Sequence, residues 1–209
     1  MSALPDEGWL VAHRPPRRTR IFPLSHATGY TVEDWLKLPE SGDRIELIDG
    51  SFVVSPAASG LHALCAGGLR TVLAGAARAT GADLVVVEAA NVVVGADGLI
   101  PDIVVLPRDL VMAGTVSFPA SEVAAVAEIV SPGVGNRRRD YEVKPAKYAA
   151  AGIPVFVRVE LEGADIPHVE VLHLGEGGYE PAAQAKAGEV LVLAEPFPVS
   201  FDPAELLES

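Results

Sequence analysis

The stretch EIVSPGVGNRRRDYEVKPAKYAAAGIPVFV, residues 128–157, decides how this chain is read. Glu128 lies near the end of an apolar run, VAAVAEIV, which has the length and branched side chains of a buried strand. A Gly/Pro loop follows, then Arg137, Arg138 and Arg139, then a helical pattern, DYEVKPAKYAAAG, and then the strand-like PVFVRVEL. A carboxylate in such a strand is expensive to bury alone, so Glu128 needs a hydrogen-bond donor, a cation or a metal.

Outward from this segment, strand patterns outnumber helical ones. TVEDWLKL reads as a short helix with Thr31 as N-cap and Glu33 and Asp34 in its first turn. RIELIDGSFVVSP reads as a hairpin turning at Asp49-Gly50. SGLHALCAGGLRTVLAGAARATG has apolar residues at helical spacing and stops at Gly81. Gly67 and Gly68 weaken that helix, and close packing against a sheet would explain them. DLVVVEAANVVVG and GLIPDIVVL each read as one β run. HVEVLHLGEGGYEP and EVLVLAE read as antiparallel strands with Gly-rich turns, and a helical DPAELLES closes the chain. This order predicts an α+β (mixed α/β) fold with a central sheet flanked by helices and added antiparallel C-terminal strands. Residues 1–28 mix Pro, Arg and apolar residues without period, so the expected organisation is an irregular arm followed by one domain over 29–209.

The bulk composition narrows the classes. With 209 residues, 49% apolar, 20 Gly and 17 Pro, the chain is globular rather than disordered. The net charge of -12 argues against tight non-specific binding to nucleic acid, but local basic clusters at Arg14–Arg20 and Arg137–Arg139 leave a basic groove open. Each cluster also reads as a solvated loop. The single Cys65 excludes an internal disulfide and suits a reducing compartment as a buried thiol. No signal peptide and no membrane span are expected, which makes a cytoplasmic protein the default.

Asp102 opens the apolar strand DIVVL as Glu128 nearly closes another. Two carboxylates brought together from adjacent strands make a hard oxygen site suited to Mg²⁺, with positions left for water and phosphate. Glu46 is a third such carboxylate. It shares a strand face with Ile48, and the alternative is that it pairs with Arg44 or a neighbouring strand at a solvent face. Glu88 reads equally well as half of a cross-strand charge pair, and Asp49 as a turn residue. A lysine beside such carboxylates could orient a water and stabilise charge developing on a phosphate. The position two residues after Glu128 holds Val130, so the nearest lysine is Lys144 on the following helix.

The ordered pattern ELIDG, SP, His, PD, EIVSP, then Asp, Lys, Tyr and Gly each separated by three residues resembles the Uma-two family of restriction-endonuclease-like proteins, within the PD-(D/E)XK nuclease fold. The resemblance spans about residues 29–195. It implies that Glu46, Asp102, Glu128 and Lys144 are catalytic, that Asp102 and Glu128 hold Mg²⁺ (or Mn²⁺), and that the lysine comes from a helix rather than the strand. It further implies a nucleic-acid substrate, DNA first, and a homodimer for cutting both strands. His62 either touches phosphate or a metal-bound water, or is a structural histidine at a helix start. Arg137, Arg138 and Arg139 either contact phosphate or lie in a solvated loop. Tyr148 and Gly152 match the spacing as a packing aromatic and a helix-ending glycine. Pro145 is tolerated only in a first helical turn, so the helix either begins near Lys144 or kinks there. Lys147 is the substitute lysine, pointing to another face. Beside the metal-dependent endonuclease stand two alternatives. One is a catalytically inactive nuclease fold that binds nucleic acid or protein, and the other is a β-rich domain whose acids are all ion-paired.

Overall fold

A computed structural model describes residues 29–39, 43–55, 57–130 and 137–208. The expected arm and its Arg14–Arg20 cluster lie outside the described residues, as does the Gly/Pro loop after Val130. Helix α1 (Val32–Leu36) begins at Thr31, whose hydroxyl accepts the Asp34 N–H while the Asp34 carboxylate accepts the Thr31 N–H. The buried Trp35 of this helix donates its indole N–H to the Ile45 carbonyl at 2.7 Å. Its ring packs against Gly98, where a Cβ would come within 2.2 Å of the ring. One short helix therefore pins the hairpin to a neighbouring strand. That hairpin, β1 (Arg44–Ile48) and β2 (Ser51–Ser55), turns through Asp49 and Gly50, both at positive φ (49° and 71°), as the two-residue turn requires.

Two runs that read as single strands are each divided. DLVVVEAANVVVG forms β3 (Leu84–Glu88) and β4 (Asn91–Val94), broken at Ala89, which sits at φ 51°. GLIPDIVVL contributes to β5 (Asp97–Leu99) and β6 (Ile103–Pro107), broken around Pro101, which has no N–H for a ladder. The Ala89 N–H donates to the Asp102 carbonyl at 3.1 Å, so the two breaks face each other. After each break the chain changes sheets. The strands accordingly sort into two main sheets, of which the larger is the central mixed sheet. One is five-stranded in the order β2-β1-β5-β4-β7, where β7 is Ser117–Pro119. The other is six-stranded in the order β11-β10-β9-β8-β6-β3. Its members β8 (Ala125–Ile129) and β9 (Val155–Glu160) are parallel, so the segment between them must cross over, and it contains the helix carrying Lys144. The antiparallel β10 (His168–Gly175) and β11 (Gly178–Lys186) extend that sheet, and β12 (Leu191–Leu193) pairs separately with β13 (Val199–Phe201). A short helix α3 (Arg108–Met112) follows β6.

Alternation along the six-stranded sheet divides the interior. Ile103, Val105, Ala125, Ala127 and Ile129 face helix α2 (Gly60–Thr80), while Val104, Leu106, Val126 and Phe156 join Val92, Val94 and Leu99 on the other side. Asp102 and Glu128 belong by parity to the second side, at the strand ends. Helix α2 is capped by Ser59 and ends at Gly81 in the left-handed conformation. Gly68 meets the C-terminal 3₁₀ turn (Pro203–Leu207), not a sheet, and a Cβ there would lie 2.3 Å from the Leu206 carbonyl oxygen, whereas Gly67 has open space around it. Adjacent glycines should therefore respond oppositely. Gly67→Ala is expected to raise unfolding free energy by about 0.5–1 kcal/mol through helix propensity. Gly68→Ala is expected to lower it by about 1–3 kcal/mol through overpacking. Urea denaturation of the two variants measures both.

Candidate active site

Strands β6 and β8 run antiparallel with Ile103 opposite Ala127, so the register carries Asp102 to the level of Glu128. The Ile129 N–H donates to Asp102 Oδ2 at 2.8 Å, tying the first carboxylate to the strand that bears the second. Asp102 Oδ1 takes Arg44 Nη1, and His62 Nε2 lies 3.3 Å from the same oxygen. Burial works against charge on Asp102, but the His62 hydrogen bond and the Arg44, His62 and Lys144 charges outweigh it. They hold the carboxyl well below the usual range. His62 thus reaches the site from the first turn of α2, which Ser59 caps by accepting its N–H.

Arg44 and Glu46 lie two apart on β1 and project to one face. Both grip Ile100: its N–H donates to Glu46 Oε1 at 2.9 Å, and its carbonyl accepts from Arg44 Nη2. Arg44 therefore partners Asp102 rather than Glu46, and Glu46 is fully buried rather than at a solvent face. Its cation is Lys144, whose Nζ is 2.9 Å from Glu46 Oε1 and 2.9 Å from Glu128 Oε1. Burial alone would lower the Lys144 pKa, but Glu128 and Glu46 outweigh it and raise it, so this lysine stays an ammonium. Burial raises the Glu128 carboxyl, with Lys144 opposing. Tyr148 also donates to Glu128 Oε1, at 2.6 Å, and is completely buried, with its hydroxyl pKa pushed well up by burial.

The helix delivers these groups through an irregular turn. Residues Arg139–Val143 are π-helical, with the Lys144 N–H reaching back to the Arg139 carbonyl. The chain passes without a break from this π turn into regular helix α4 (Lys144–Ala150), Val143 itself being helical at φ -72° and ψ -56°, so Pro145 follows the widened turn directly rather than opening a helix. Lys144 and Tyr148 then share one face, four residues apart, and converge on one oxygen. Lys147 faces elsewhere: its Nζ is 2.7 Å from both Asp49 and Asp97, bolting the hairpin turn to the helix. Tyr141, in the π turn, is covered by Arg158 at 4.0 Å and Arg137 at 5.1 Å from its ring centre, and its hydroxyl donates to Glu160. Arg137 is engaged by Glu160 and Glu162, and Arg138 pairs with Glu142 on an exposed helix face. Arg139 lies beside the buried Asp140 at 3.7 Å. Glu88 pairs with Arg70 of α2, not with a facing strand. Cys65 is a buried thiol whose pKa burial pushes up to about 12.

The structure therefore gathers Glu46, Asp102, Glu128, Lys144 and His62, and leaves Lys147 and Arg137 in other pairs. Two members escaped the sequence reading, Arg44 and the hydrogen-bonding role of Tyr148. Each stands at a regular interval from a recognised residue, two along the strand from Glu46 and four along the helix from Lys144. Among the described residues no three acidic, His or Cys side chains form a ready-made ion cage. Asp102 and Glu128 nevertheless offer the one or two hard carboxylates that Mg²⁺ takes when water and phosphate fill its sphere. Beside them the buried Glu46 Oε2 has no hydrogen-bond partner among the described residues, a spare acceptor in the same pocket of charge. The donor chemistry fits a hard divalent ion.

The sequence model of the family Uma2, described as "Putative restriction endonuclease", matches residues 32–206. The chain belongs to the Uma2 family. A crystal structure of a protein from Anabaena variabilis ATCC 29413, described as a "putative nuclease belonging to DUF820", is similar with a TM-score of 0.65 and 18% identity. The match covers 85% of this chain and 97% of that one, and at this identity it shows the fold. No curated protein matches the sequence. In this Uma2 chain no helix among the described residues is long and apolar enough to cross a membrane.

Two outcomes follow from the buried charges. Lys144→Met strands Glu46 and Glu128 and should cost about 3–5 kcal/mol at pH 8. Because a carboxyl raised by burial binds its proton more readily when folded, that variant should gain stability as pH falls toward 5, as read by thermal melts. Asp102 has the opposite sign. Its lowered pKa stabilises the fold above the usual carboxylate range and is lost below it, so the stability difference between wild type and Asp102→Asn should shrink between about pH 5 and pH 2.

Proposed function

We propose that this Uma2 protein is a divalent-ion-dependent endonuclease that hydrolyses phosphodiester bonds of nucleic acid, DNA in the first instance, through the unit spanning residues 29–209. The observation that carries this reading is the convergence of Asp102 and Glu128 from adjacent strands with Lys144 delivered from the helix. The family description and the nuclease description of the structural neighbour support it. Asp102 and Glu128 would hold the ion, Mg²⁺ or Mn²⁺, which when bound supplies Lewis acidity toward the phosphate and a more acidic water.

The protein's own groups define the remaining roles. Lys144 cannot abstract a proton while its carboxylate neighbours keep it protonated. It serves instead to orient the attacking water and offset charge growing on the phosphate oxygens. Glu46 holds Lys144 in place from the side opposite Glu128, and Tyr148 fixes the orientation of Glu128 by occupying the oxygen that Lys144 shares. His62 keeps Asp102 aligned from the α2 terminus. A homodimer would place two such sites on opposite strands.

A non-catalytic binding module is the second reading, favoured by internal cations already sitting on Asp102 and Glu128 and by the lack of a three-ligand cage among the described residues. Incubation of purified protein with plasmid DNA and RNA in Mg²⁺ or Mn²⁺ separates the two. The nuclease reading expects ion-dependent cutting that falls by at least about 100-fold in Glu128→Gln and Lys144→Ala variants whose folding is checked by circular dichroism. Absence of cutting on every substrate, or a Glu128→Gln variant as active as wild type, would leave the binding module.

A further inference from the structure

We propose that Arg44 is an exchangeable cation: it holds Asp102 Oδ1 in the ion-free protein, and once a divalent ion is bound it gives up that oxygen and becomes the contact for the scissile phosphate. This rests on the nuclease reading above.

Asp102 has two differently held oxygens. Oδ2 accepts the backbone N–H of Ile129 in β8. Oδ1 is held only by side chains, Arg44 and His62, which can swing away from it. Of the charged side chains at the site, Arg44 has the most solvent access, 26% against 10% for His62 and 5% or less for Asp102, Glu46, Glu128 and Lys144. It stands at the open side of an otherwise closed group of charges. Its guanidinium is also incompletely used. Nη1 binds Asp102 and Nη2 the Ile100 carbonyl, but the buried Nε has no hydrogen-bond partner among the described residues. A planar fork with an idle donor suits a phosphate, whose oxygens it can take in pairs.

Charge balance gives the exchange its direction. Three carboxyl groups, Glu46, Asp102 and Glu128, are gathered around the cations Arg44 and Lys144. A bound divalent ion adds two positive charges to this cluster, and Arg44 beside it is then repelled by the ion and attracted by an arriving phosphodiester. Lys144 keeps its place between Glu46 and Glu128, facing the attacking water, while Arg44 moves.

The test is calorimetric titration of Mn²⁺ into wild type and Arg44→Met without nucleic acid, joined with the affinity of each protein for a short DNA duplex with and without Ca²⁺. A structural role for Arg44 as support of a metal ligand predicts weaker Mn²⁺ binding in the variant. The exchange predicts binding about tenfold tighter, the scale on which neighbours of a ligand change its affinity. It also predicts loss of the gain in DNA affinity that Ca²⁺ confers on wild type. Mn²⁺ affinity unchanged or reduced, or a Ca²⁺-dependent gain retained in Arg44→Met, overturns the inference. Should Arg44→Met fail to fold, Arg44→Lys is measured in the same way. It keeps the charge but loses the fork, so tighter Mn²⁺ binding supports the exchange and unchanged or weaker binding overturns it. An Mn²⁺ site lost in Asp102→Asn but not tightened by Arg44→Met removes only this inference. No Mn²⁺ binding in either protein, together with no cutting, removes the nuclease reading as well.

Discussion

The burial of three carboxylates within reach of two permanent cations is the constraint on which the rest of the structure depends. Glu46, Asp102 and Glu128 lie beside a core of aliphatic and aromatic side chains that includes Leu99, Val104, Val126, Tyr148 and Phe156. An unpaired charge there would cost several kcal/mol, so each partner must arrive within hydrogen-bond distance. Arg44 and Lys144 come from elements far apart in sequence, β1 and α4, and meet the carboxylates at the ends of β6 and β8. Any change in register of β1 or rotation of the helix would leave a charge stranded.

Much of the surrounding architecture fixes those two approaches. On the hairpin side, Trp35 over Gly98 and its hydrogen bond to Ile45 set β1 against β5, which turns Arg44 and Glu46 toward Ile100. On the helix side, the π turn at Arg139–Val143 changes the angular phase of everything after it. Lys144 and Tyr148 then face Glu128, while Lys147 faces the hairpin turn. Tyr141, clasped by Arg137 and Arg158 and bonded to Glu160, secures the turn to β9. Arg137, between Glu128 and Lys144, therefore has a structural duty that its position in sequence hides.

The candidate site was legible in unequal parts. Asp102 and Glu128 stood out because acids at the ends of apolar strands need a reason to be there. Lys144 was found through spacing that resembled a family, since nothing local distinguishes it from Lys147. Arg44 was read only as one alternative partner for Glu46 on the same strand, but two side chains projecting side by side from a strand are directed at a third element rather than at each other. Tyr148 read as packing because a tyrosine in an apolar helix usually packs, and here it packs and also donates to Glu128. Gly68 was assigned to a sheet contact, whereas its close neighbour is the C-terminal 3₁₀ turn, which returns from the far end of the chain.

Local chemistry in the sequence determined the hairpin at Asp49-Gly50, the caps at Thr31 and Gly81, the helices they bound, and the mixed α+β character of the chain. These depend on residues within a few positions of one another. Pro101 marks one break by its missing N–H, but tertiary structure alone decided that the two β runs pass to different sheets after Ala89 and Pro101. It also decided which cation meets which carboxylate and which face of the helix looks inward. Those outcomes depend on the long-range pairing of strands and on the phase added by one widened helical turn. Neither carries a signal that composition, periodicity or spacing could display in advance.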